Sequence, residues 1–105
     1  MTNPALLGLT ATFDEVVCQF PRGKVFTAHA FLRALSHQHQ VAYIDALQAM
    51  RDAVDAQGNP SPFRALHAQL SRSLKQRADL VRHVGDTTSE NIFGGLTECA
   101  EYERV

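Results

Sequence analysis

Tryptophan is absent from this chain, aromatic residues make up only 8% of it, and there are just two cysteines, Cys18 and Cys99. The two thiols lie far apart in sequence with no close-spaced partner. That excludes the dense disulfide framework of small secreted domains and the paired thiolates of a zinc module. Both are expected to be reduced structural thiols, buried or partly buried, in a cytoplasmic protein. No apolar run approaches the ~20 residues of a membrane span. The opening Met-Thr-Asn-Pro-Ala-Leu-Leu-Gly-Leu carries no basic leader, so neither a secretion signal nor a membrane partner is expected. Internal repeats and low-complexity stretches are also missing.

What is present fits one folded domain. The chain has 105 residues, with 45% hydrophobic and 20% charged, which is ordinary globular composition and matter for a single core. A net charge of -1 conceals segregation. Residues 60–84 hold Arg64, Arg72, Lys75, Arg77 and Arg82 against Asp79 alone, whereas residues 85–105 hold Asp86, Glu90, Glu98, Glu101 and Glu103 against Arg104. Such asymmetry bears on partners and steering rather than on fold.

Helix signals dominate the first three quarters. Thr12-Phe13-Asp14-Glu15 matches a capping box, and Phe13, Val16, Val17 and Phe20 recur on one helical face until Pro21 and Gly23 end it, predicting a helix over 13–20. Lys24-Val25-Phe26 reads as a brief strand or a linker. Thr27 is the expected N-cap of a helix over 28–35 with Phe31, Leu32 and Leu35 buried, and Ser36 of the next. That next helix is expected over 37–56, burying Val41, Ile44, Leu47, Met50 and Val54 with Tyr43 at the edge.

Gln57-Gly58-Asn59-Pro60 is a stop, and Ser61-Pro62 a restart, since serine caps and proline suits the first helical position. The following helix, Ser61 to Gln76, has a narrow apolar face of Phe63, Leu66, Leu70 and Leu74, leaving Arg64, His67, Ala68, Ser71, Arg72 and Lys75 elsewhere. Leu80 to Val84 alternates like a strand closed by Gly85; Asp86 to Glu90 reads as a polar turn. Tyr102 to Val105 is expected to return as a strand pairing with residues 80–84. The expected fold is therefore mainly α with a small C-terminal β-hairpin (α+β), comprising residues 12–105 behind an N-terminal arm of residues 1–11. About four helices and two or three short strands would make it up.

Catalytic and metal chemistry find little support. His37 and His39 stand two apart on a helix and diverge, so the five histidines suggest surface positions rather than a metal site. No serine sits in a nucleophile elbow, Gly94-Gly95 lacks the lysine of a phosphate loop, and Glu98, Glu101 and Glu103 lack a partner to raise a pKa. No catalytic residue, metal or cofactor is expected. A polar pocket lined by His29 or His83 would reopen the question of an enzyme.

The basic helix remains. Exposed arginine, lysine and serine on a helix after a turn suit the major groove and the phosphates flanking it, with Arg64, His67, Ser71, Arg72 and Lys75 toward DNA and Arg77 and Arg82 on neighbouring phosphates. The order helix, short strand, helices, basic helix and hairpin resembles a winged helix-turn-helix over residues 12–105, which implies double-stranded DNA as partner and a regulatory role. The wing so implied is acidic, where phosphate contact would favour basic residues. The phrases Phe26-Thr27-Ala28-His29-Ala30-Phe31, Tyr43-Ile44-Asp45-Ala46-Leu47 and Ser89-Glu90-Asn91-Ile92-Phe93-Gly94 are similar to small bacterial proteins of mobile (integron) gene cassettes. That resemblance implies a compact helical protein with a C-terminal hairpin and transfers no activity. The alternative expectation is a protein-interaction module or homodimeric mobile-element accessory protein, using the acidic tail or the apolar Leu6, Leu7 and Leu9.

Overall fold

The computed structural model describes residues 8–57 and 62–105. The architecture is mixed α+β: among the described residues, helices pack against one three-stranded antiparallel sheet. In chain order these are α1 (Phe13–Val17), β1 (Val25–Thr27), α2 (Ala28–Gln38), α3 (Gln40–Gln57), α4 (Pro62–Lys75), β2 (Val81–Glu90) and β3 (Leu96–Arg104).

The sheet order is β1-β3-β2, so the strand latest in sequence is the central one. Val25, Phe26 and Thr27 pair with Glu103, Tyr102 and Glu101. On the other side β2 pairs with β3 from Val81↔Arg104 to Glu90↔Leu96, with a register irregularity between His83 and Gly85. The expected pairing of residues 80–84 with the returning strand is present at Val81, Arg82 and His83. Asp86 to Glu90 is a correction: this segment is strand and no turn. The chain reverses over Asn91 to Gly95 instead, where the Asn91 side-chain oxygen accepts from the N–H groups of Phe93 (2.9 Å) and Gly95 (3.1 Å) and Gly94 takes a positive φ of 87°.

Thr27 caps α2 as expected, its hydroxyl accepting from the Ala30 N–H at 3.0 Å. Thr12 does not cap α1. It is itself in helical geometry and its hydroxyl donates to the Leu9 carbonyl at 2.6 Å, because the chain is already turning upstream. Leu9 is accordingly fully buried in the core, while Leu6 and Leu7 lie outside the described residues. Ser36 also does not begin a helix; α2 runs on to Gln38, and the Ser36 hydroxyl donates back to the Arg33 carbonyl.

The core collects Phe13, Val16 and Val17 of α1, Phe26 of β1, Phe31, Leu32 and Leu35 of α2, Leu66, Leu70 and Leu74 of α4, and Val81 and Tyr102 of the sheet. Phe13 meets Phe31 edge-to-face at 5.0 Å. Each of Leu66, Leu70 and Leu74 is wholly buried, contributing about 1.5–3 kcal/mol relative to exposure and fixing the roll of α4. The buried face of α3 is another correction. Tyr43, Ala46 and Met50 point inward and Leu47 is half-buried, while Val41 (75% exposed) and Ile44 (59%) face out. Tyrosine offers more apolar area than valine, and here its hydroxyl has a partner at depth, so that face wins. The Val54 side chain, the stop at residues 58–60 and the cap at Ser61 lie outside what is described.

Candidate functional site

Helix α4 presents different chemistry on two sides. With its leucines sunk in the core, Arg64, Ala68, Arg72 and Lys75 fall at spacings of four, four and three on an exposed stripe. Glu103 of the hairpin pairs with Arg82 at 3.0 Å, and Asp86 lies 3.3 Å from the His83 ring. Arg77, just past the helix, is held by Asp14 at 2.6 Å and Asp79 at 2.8 Å. Arg64, Arg72 and Lys75 are thus exposed along one helix, and Arg77 and Arg82 stand outside it in ion pairs.

His67 and Ser71 turn inward. The Ser71 hydroxyl lies 3.1 Å from the hydroxyl of buried Tyr102, which also donates to the Ser71 carbonyl at 3.2 Å. His67 Nε2 lies 2.7 Å from the Tyr43 hydroxyl, and its ring stacks at 22° on Phe93, whose ring in turn meets Phe63 at 5.0 Å. Burial pushes the Tyr43 hydroxyl up to about 12. It also holds the His67 imidazole below its ordinary range, as does the neighbouring His29 to a smaller degree.

Between α2, α4 and the hairpin lies a cleft of about 550 Å³, within the size range of small-molecule sites. Phe63, His67 and Phe93 form its aromatic wall, and Arg64 and Ser71 line it from α4. Opposite stand His29, Thr97 and Cys99. The His29 ring is buried, its Nδ1 2.7 Å from the Ser89 hydroxyl and its Nε2 3.3 Å from that of Thr97. The Ser89 hydroxyl is also 3.4 Å from the Cys99 sulfur, and the Asn91 amide donates to Thr97 Oγ1 at 3.4 Å. Burial lowers the affinity of His29 for a proton; a hydrogen bond to the Ser89 backbone acts the other way, and Arg33 adds a further lowering.

The sequence points to His29 only as a candidate pocket residue and carries no signal that sets Ser89, Thr97 or Cys99 beside it. Their union depends on strand register, since Ser89 pairs with Thr97 and Thr87 with Cys99, placing these side chains on one face toward α2. Among the described residues no group of three histidine, cysteine or acidic side chains is placed to hold a metal ion, and no helix is long and apolar enough to cross a membrane.

Fold and site together define a small α+β protein with exposed basic residues along one helix and a polar-and-aromatic cleft whose rim that helix shares at Arg64. No protein-family model, no curated protein and no solved structure matches this chain.

Proposed function

We propose that the protein binds double-stranded nucleic acid through the outer face of α4, as a winged-helix-type regulator. The observation that carries this reading is the solvent exposure of Arg72 and Lys75, with Arg64 further along the same helix, while the leucine face of that helix is locked in the core. A helix so fixed presents its cations at set spacing to a phosphate backbone. The sheet order β1-β3-β2, with the hairpin following α4 directly, supports this reading. The hairpin serves as a brace in this reading: its tip packs Phe93 against Phe63 and His67, and its Glu103 is paired with Arg82.

Three phosphate contacts give a salt slope of about -2.7 and weak, micromolar-range affinity. Fluorescence anisotropy with a mixed-sequence duplex is the test. Affinity should fall about 40-fold between 50 and 200 mM salt, and Arg72→Ala should reduce the slope by about one contact. Absence of binding at about 50 mM salt overturns the reading.

The exposed pair Val41 and Ile44, one turn apart on α3, favours a second reading, self-association through that face. Sedimentation would show a dimer that Ile44→Lys dissociates; a monomeric native protein overturns it.

A further inference from the structure

We propose that Cys99 is a nucleophilic thiol, activated through Ser89 by His29, that captures flat conjugated carbonyl compounds entering the cleft. The proposal is independent of whether α4 meets nucleic acid.

The geometry is a proton relay with one end open. Cys99 lines the cleft, whereas Ser89 stands behind it, 3.4 Å from the sulfur and 2.7 Å from His29 Nδ1. In the tautomer protonated at Nε2, Nδ1 is the acceptor; the Ser89 hydroxyl then donates to it and accepts from the thiol. Thr97 Oγ1 accepts from the Asn91 amide, and the Asn91 side-chain oxygen accepts from the N–H groups of the hairpin tip, which places these partners beside the ring. Burial keeps the His29 ring neutral and able to accept a proton while weakening it as a base, and the Ser89 backbone offsets part of that by favouring the imidazolium.

The chemistry of the walls selects the partner. A thiolate is a soft nucleophile, and Phe63, His67 and Phe93 offer flat surfaces on which a conjugated ring can stack. In the reaction the thiol proton passes through Ser89 to His29 Nδ1 as sulfur bonds to the β-carbon of the unsaturated carbonyl. The carbon–carbon π pair moves onto the carbonyl as an enolate. Return of the proton from His29 to the α-carbon completes a thioether adduct, with no oxidant, reductant or leaving group needed.

Cys18 supplies an internal control. It is exposed while Cys99 is half-buried, so accessibility alone predicts that Cys18 reacts faster. Native protein treated with cinnamaldehyde, with adducts at each cysteine quantified by peptide mass spectrometry over time, should show the reverse, Cys99 leading by about tenfold. Ser89→Ala should erase that lead without changing the Cys18 rate; Ser89→Thr, which keeps a hydroxyl, should retain it. His29→Gln is expected to act as Ser89→Ala does, with circular dichroism confirming that each variant is folded. Should Cys99 in the native protein react no faster than Cys18, the proposal is overturned whatever the variants do. Retention of the full lead by folded Ser89→Ala overturns the relay.

Discussion

Removing a single oxygen from Tyr102 would measure how firmly α4 is tied to the sheet. Tyr102 sits on the central strand, 1% exposed, with its hydroxyl accepting from Ser71 Oγ at 3.1 Å and donating to the Ser71 carbonyl at 3.2 Å. Tyr102→Phe keeps the ring and its contact with Phe26 but deletes both bonds. A net hydrogen bond contributes about 1 kcal/mol, and the Ser71 hydroxyl can turn back to its own helix, so the expected loss is about 1–1.5 kcal/mol. With an unfolding entropy of about 2.1 cal/mol/K per residue, 105 residues convert this to a Tm drop of about 5–7 °C. Differential scanning calorimetry at neutral pH reads it. Ser71→Ala should cost about half as much, and the double variant should be no less stable than Tyr102→Phe alone, because the two changes remove one shared interaction. A drop below about 2 °C, or full additivity in the double variant, would refute the linkage.

Two further outcomes are expected. His29 and His67 are both held below their ordinary proton affinity, chiefly by burial, so below about pH 6.5 the unfolded chain binds more protons than the folded one. Stability is then fully present above that pH and declines as pH falls through the folded-state values. Urea midpoints should be lower at pH 5.5 than at 7.5, with the difference reduced in His67→Gln; equal midpoints for the native protein would contradict the assignment. Gly94→Ala places a side chain where φ is 87°, and should lower Tm by about 4 °C, corresponding to about 1 kcal/mol, while circular dichroism stays native. An unchanged Tm would mean that the tip adopts another turn.

Much of the helical half was legible because its signals are local. Thr27 caps through a bond three residues away, and Leu66, Leu70 and Leu74 recur with the helical period in a segment whose other residues are polar. Helix α3 was misread by face, since Val41, Ile44 and Leu47 also form a stripe. The choice between stripes was made by His67, which meets the Tyr43 hydroxyl from another helix. The length of the hairpin was hidden for a related reason. Asp86, Thr88 and Glu90 are exposed, so β2 lacks the strong apolar alternation that marks a half-buried strand. The grouping of His29, Ser89, Thr97 and Cys99 has no sequence spacing to reveal it. It arises when a helix start set by Thr27 meets a hairpin whose register is set at Asn91.

The central position of β3 has a consequence for how the chain acquires its fold during synthesis. Both neighbouring strands leave the ribosome before β3 does, and neither can be hydrogen-bonded into the sheet until it arrives. Until then the helices can collapse around Phe31 and Leu70, but the seat of Tyr102 stays open and β1 and β2 present bare edges to other nascent chains. Sheet closure joins segments from opposite ends of the chain, so it is the slow, non-local step. A ribosome stalled before Leu96 would expose the inner edges of β1 and β2, which β3 covers in the finished fold, and so an aggregation-prone intermediate.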